Sequence, residues 1–188
     1  MTAAPAQPRI VSVWFPDLAM DRWRRITAQQ RTLPDETVPV VLAQAGRHGP
    51  VVYAVSVAAQ ARGISEGARI VDVQAIHPDL HVEQADAPGD RKLLDRVAHW
   101  ARRWCPWTVR DGADGIVMDV TGADHLFGGE TAMLRDIGTR FQMQGLTARL
   151  AMAPTRGAAQ MLARFGAGRV ICDVEDLEMC LAPLPVAA

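Results

Sequence analysis

Apolar and polar residues change their spacing along this chain in a way that predicts alternating strands and helices. The run RIVSVW at 9–14 reads as a buried strand, ended by Pro16, which offers no N–H to a ladder. TVPVVLA (37–43) and VVYAVS (51–56) predict two further strands, parted by the turn-rich QAGRHGP. LAMDRWRRITAQQ (18–30) has helical spacing, with Leu18, Arg22, Arg25 and Gln29 on one face and Trp23 and Ile26 on another. Short helices at 56–62 and 67–76, split by Gly63, and a strand at 81–85 follow.

The second half is patterned more regularly. Asp90 is the expected N-cap of RKLLDRVAHWARRW, in which Leu93, Leu94, Val97 and Trp104 recur at helical spacing until Pro106. WTVRD and GIVMDV flank GADG and predict a hairpin. Met133, Leu134, Ile137 and Phe141 stripe a helix at 131–143; LTARLAMA (146–153) alternates as a strand, and GAAQMLARF predicts another helix. Strand 9–14, helix 91–104, strands 107–111 and 115–120, helix 131–143 and strand 146–153 spell β-α-β-β-α-β. The expected class is therefore α+β, a ferredoxin-like unit with a small α/β subdomain inserted after its first strand.

Composition narrows the picture without naming a chemistry. The 188 residues are 49% hydrophobic and 22% charged with a formal net charge of −1, which suits a soluble globular chain with a substantial core. That charge argues against a uniformly basic nucleic-acid module. Two local clusters, RWRR (22–25) and ARRW (101–104), interleave Arg with Trp as phosphate-contacting surfaces do, although solvated helix faces over a packed Trp look the same. No run approaches the ~18 apolar residues of a membrane span, and MTAAPAQPR lacks a secretory core and reads as a frayed tail. A cytoplasmic location is expected. Cys105, Cys172 and Cys180 have neither disulfide nor zinc spacing and read as free thiols; His77 and His81 are separated by Pro78, which breaks the helix a ligand pair would need.

Candidate chemistry gathers on the hairpin, which carries Asp111, Asp114 and, farther along, Asp119, while the first strand ends in Trp14. GPVVYAVSVAAQARGI (49–64), AIHPDL (75–80), DGADGIVMDVTG (111–122) and AMAPTRGAAQMLA (151–163) are similar, in order and spacing, to the palm and fingers of Y-family translesion DNA polymerases. VWFPDLAMDR, DVTGADHLFGGE (119–130) and LAPLPVAA resemble, within that family, the polymerase-like accessory proteins of bacterial damage-induced mutagenesis. The resemblance implies a palm at 1–17 and 81–165, a fingers insertion at 18–80 and the beginning of a thumb at 166–188.

Carried over position by position, the family's site is mostly missing. Active members hold two metal ions with carboxylates from the first strand and the hairpin, so that both ions touch the same phosphates. Here the first metal-binding Asp is replaced by Trp14, the carbonyl-lending Asp by Pro16, and the adjacent Asp–Glu pair by Asp114 and Gly115. The triphosphate-binding Tyr and Arg of the fingers correspond to Val57 and Gln60. The phosphate-binding Lys corresponds to Gly157 beside Arg156, and the ribose-checking aromatic to Ala19. Asp114 is the one vestigial metal candidate.

The expectation is a catalytically inactive adaptor without cofactors. By resemblance its partners are a RecA-like accessory protein, an error-prone C-family polymerase and the sliding clamp, with weak DNA contact and no membrane. Two alternatives stand beside it: an active polymerase using Asp114 with Asp17 or Asp111, and a generic ferredoxin-like binding module. GGE at 128–130 matches a diguanylate-cyclase tripeptide, but two glycines before a helix are ordinary loop composition.

Overall fold

In a computed structural model of the chain, residues 7–167 and 170–185 are described. The frayed tail read at 1–9 therefore lies largely outside the described residues, as do the last three residues of LAPLPVAA. The first strand, β1 (Ile10–Trp14), leads into α1 (Leu18–Gln30), β2 (Val40–Gly46), β3 (Gly49–Val55), α2 (Val57–Ala61), α3 (Ile70–Ile76) and β4 (His81–Gln84). The chain continues through α4 (Ala87–Ala101), β5 (Thr108–Asp111), β6 (Gly115–Asp119), a 3-10 turn at Asp124–Phe127 and α5 (Glu130–Met143). It ends in β7 (Arg149–Ala153), α6 (Arg156–Phe165), β8 (Val170–Ile171) and α7 (Leu177–Leu181). Two compact units result: Asp17–Asp90 forms one, and the segment up to Pro16 with that from Arg91 onward forms the other.

The larger unit is a five-stranded sheet in the order β5-β6-β1-β7-β8, in which β1 runs antiparallel to both neighbours. Its first four strands have the ferredoxin-like arrangement expected for β-α-β-β-α-β; β8 adds a parallel edge. Period-two alternation gives β1 two buried faces. Val11 and Val13 stand in register with Met118 and Ile116 of β6 and with Met152 and Leu150 of β7. All six are at most 2% exposed. Phe15, one residue past β1, meets Phe141 of α5 edge-on at 5.0 Å, and Trp100 and Trp104 close on the same ring at 5.5 and 5.6 Å. On the opposite face Ile10 and Trp14 lie under α6, whose Ala158, Ala159 and Ala163 let the helix approach the sheet closely.

The smaller unit is a three-stranded sheet, β3-β2-β4, with β4 parallel to β2. Strand 81–84 therefore belongs with the insertion, not with the palm as expected, because its backbone pairs with Val40–Ala43. The opposite boundary also shifts, since β8 and the buried Cys172 are built into the larger sheet and its core. The face assignment of α1 changes as well: Leu18, Met20, Asp21 and Thr27 turn inward, Met20 packs on Leu42 and Ala54, and Arg22 reaches Asp86 and Asp90. Asp90 is not a helix cap. Asp86 takes that role, its Oδ1 accepting from the Gly89 N–H at 3.0 Å, and Pro88 is tolerated because first-turn N–H groups have no helical partner. At the other end α4 tightens into 3-10-type bonds over residues 102–104 before Pro106.

The remaining minor expectations are resolved simply. All three cysteines are free, Cys105 and Cys172 buried. His77 ends α3, while His81 on β4 pairs with Glu83 at 2.6 Å. Gly128 and Gly129 of the GGE tripeptide form the left-handed link into α5. No helix among the described residues is long and apolar enough to cross a membrane.

Candidate functional site

Register alone brings three positions together at the end of β1: Trp14 stands opposite Gly115 of β6 and Arg149 of β7, all on one face of the sheet. The hairpin loop 112–114 turns through Gly112 at φ +66°, which an L side chain would resist, and its last carbonyl, Asp114 O, accepts from the Phe15 N–H at 2.8 Å. Asp114 is thereby fastened beside Trp14. Gly115 is crowded by backbone: a Cβ there would meet Asp111 O at 3.0 Å and Val13 O at 3.2 Å.

The Asp114 carboxylate is held on both oxygens. Trp14 donates its indole Nε1–H to Oδ2 at 2.8 Å, and Arg164 donates through Nη2 to Oδ1 at 2.8 Å and through Nη1 to Oδ2 at 3.1 Å. Such a two-pronged guanidinium contact is among the stronger charge-assisted arrangements. Partial burial pushes the Asp114 carboxyl up, but the bonds from Arg164 and Trp14 outweigh it and hold the group below the usual carboxylate range. Asp114 in turn raises the Arg164 guanidinium further. The cationic carbons of Arg164 and Arg149 lie 5.2 and 5.6 Å from the Trp14 ring centroid, within cation–π reach, and Arg149 also donates to the Gly166 carbonyl.

A second carboxylate is engaged from the same helix. Asp111 accepts from Arg156 Nη2 at 2.6 Å and from Gln160 Nε2 at 2.6 Å. Arg156, Gln160 and Arg164 are spaced i, i+4, i+8 and so share one face of α6, while Ala158, Ala159, Leu162 and Ala163 bury the other. One helical stripe thus engages both hairpin acids. Sequence reasoning missed Gln160 and Arg164; the signal available was this polar stripe in RGAAQMLAR.

Among the other anticipated positions of the larger unit, Asp119 lies apart from the cluster. Asp119 faces Ile10 four residues along β6, about 13 Å away at ~3.3 Å per residue, and accepts from Thr121 N and Oγ1 at 3.1 and 2.6 Å. Val57 and Gln60 sit exposed on α2 in the smaller unit, where Ala19 also packs beside Met20 and Asp17 precedes α1 without a capping bond. Gly157 is exposed in the first turn of α6 with open space around it. Trp14 does more than pack: it is a hydrogen-bond donor and a cation–π partner. Among the described residues no group of three or more His, Cys, Asp or Glu side chains is placed to hold a metal ion.

The architecture is that of the palm and fingers of Y-family DNA polymerases. DinB from Sulfolobus solfataricus matches with a TM-score of 0.76 at 15% identity, over 96% of this chain and 54% of that one. An insertion ternary complex of Dbh DNA polymerase matches at 0.78 and 17%, over 95% and 52%. More specifically, the chain belongs to the impB/mucB/samB family, whose model matches residues 25–164. Among its relatives is Protein ImuB of Caulobacter vibrioides, strain NA1000 / CB15N, 42% identical over 126 residues; another strain of the same species matches equally. That alignment covers 67% of this chain and 28% of the relative, so the chain spans little more than a quarter of that protein's length.

Proposed function

We propose that this chain is the palm-and-fingers portion of a polymerase-like accessory protein in DNA damage-induced mutagenesis, without nucleotidyl transfer of its own. The observation that carries the reading is the double engagement of Asp114 by Trp14 and Arg164. Two-metal phosphoryl chemistry needs carboxylates converging on two cations about 4 Å apart. Here the one surviving family carboxylate faces a guanidinium, its neighbour Gly115 carries no ligand, and Asp111 is committed to Arg156 and Gln160. A divalent ion would have to displace an arginine and an indole before meeting a single carboxylate. These residues do not fit the pair of ions that the fold's active members use, and no catalytic step is derived through them.

In domain terms this reading makes the larger sheet, β8 and Cys172 included, the palm, the smaller unit the fingers, and the segment after Cys172 the beginning of the thumb. The ImuB likeness supports the mutagenesis-associated, polymerase-like role; we extend it, on the family resemblance alone, to an adaptor working in the cytoplasm with a RecA-like accessory protein, an error-prone C-family polymerase and the sliding clamp. The test is a titration of the chain with Mn²⁺ and a deoxynucleoside triphosphate, followed by tryptophan fluorescence and by primer extension. No saturable response and no extension at millimolar nucleotide is the expected result. A metal-dependent response that disappears in Asp114→Ala, or any template-directed extension, overturns it.

A further inference from the structure

We propose that the solvent face of α4, with Arg110 beside it, is a surface that binds the phosphodiester backbone of nucleic acid, separate from the Trp14 cluster. Its role does not depend on whether that cluster supports chemistry. Leu93, Leu94, Val97, Ala98, Ala101 and Trp104 are the buried side of this segment. Its exposed side carries Arg91, Lys92, Asp95, Arg96, His99, Arg102 and Arg103 in paired columns at helical spacing. With Arg110 this makes six fixed cations against one carboxylate of the same segment, Asp95, with Asp136 of α5 near Arg103 at the patch's edge, in a chain whose net charge is −1. The rest of the molecule is correspondingly acidic.

The sheet register places this surface on the far side from Trp14. Arg110 pairs with Ile116, which is in register with Val13, so it alternates out of phase with Asp111, Gly115 and Trp14. Its ion pair with Asp95 Oδ1 at 3.0 Å ties α4 to that opposite face. Asp95 is also the patch's own acid, and Arg110 therefore neutralises it. No ion pair is seen for Arg91, Lys92, Arg96 or Arg102 among the described residues, and Arg103 stacks its guanidinium over the half-buried Trp100 at 4.9 Å.

Length and chemistry select the occupant. Arg91 to Arg103 spans about 18 Å at 1.5 Å per residue, the length of about five nucleotide steps at 3.4 Å each. Arginines supply five of the six charges, and a guanidinium fork matches phosphate oxygens while its plane suits stacking on bases. A lipid surface is not favoured, since no large apolar side chain is exposed on α4 among the described residues.

The test is fluorescence anisotropy of a labelled twelve-nucleotide strand and of its duplex, across a salt series, with the 188-residue chain. Arg96→Glu/Arg103→Glu should weaken binding at least tenfold. It should also flatten the salt dependence on the single strand, by about 0.7 in log–log slope for each phosphate that is no longer neutralised. Arg47→Glu, an exposed control on the smaller unit, and the charge-conserving Arg96→Lys/Arg103→Lys should leave the slope unchanged. Circular dichroism checks that each variant is folded. Wild-type affinity and slope in the Glu variant overturn the proposal. So does competition by a polyglutamate peptide as effective as that by unlabelled DNA at equal charge, which would make an acidic protein the occupant.

Discussion

Trp14 sets the electrostatics at the end of β1 through its indole N–H and its ring face. An aspartate at the end of β1 would face Asp114 with like charge and favour a bound cation between them. An indole reverses that logic by offering a donor, and Arg164 completes the neutralisation. Asp114→Ala should therefore cost about 1–2 kcal/mol at pH 7, a modest figure because both charged partners are about one-third exposed. The folded pKa of Asp114 is lowered, so this stabilisation is complete above the ordinary carboxylate value near ~3.9 and is lost as pH falls through the folded value. Urea denaturation from pH 7 down to pH 2 should show wild type and variant converging only on the acid side. The Trp14 indole N–H resonance should move over the same range.

Element boundaries here depend on short polar side chains. Thr155 caps α6 by accepting from the Ala158 N–H at 3.2 Å, at a partly exposed site. Ser56 caps α2 through the Ala59 N–H at 3.2 Å and also accepts from the Val40 N–H at 3.0 Å, with the residue 5% exposed. Thr155→Ala should cost about 1 kcal/mol, the ordinary value of a cap. Ser56→Ala should cost more, about 2 kcal/mol, since it also strands a buried donor at the start of β2. Thermal unfolding of both variants gives that order directly.

At the scale of the whole molecule, protection should follow strand position. The central strand β1 is bonded on both sides and covered on both faces, whereas β5 and β8 are short edges with one bonded neighbour each. Amide hydrogen exchange should be slowest across Val11–Val13 and at least tenfold faster at Val109 and Arg110. Equal rates in the two strands would show that the larger sheet opens as one unit.

The order of elements, the hairpin at GADG and the inserted subdomain were legible in the sequence, because period-two and period-3.6 patterns and glycine turns are local properties. The identities of Trp14, Asp114 and Gly115 at the strand end and hairpin were legible too, but what their side chains contact was not. What only the tertiary structure decided is long-range pairing: β4 joins β2, β8 joins β7, and the α6 stripe of Arg156, Gln160 and Arg164 meets Asp111 and Asp114. A helix pattern tells which side chains share a face. It does not tell which carboxylates that face will meet, because the meeting is set by sheet register and by the path of the chain between them.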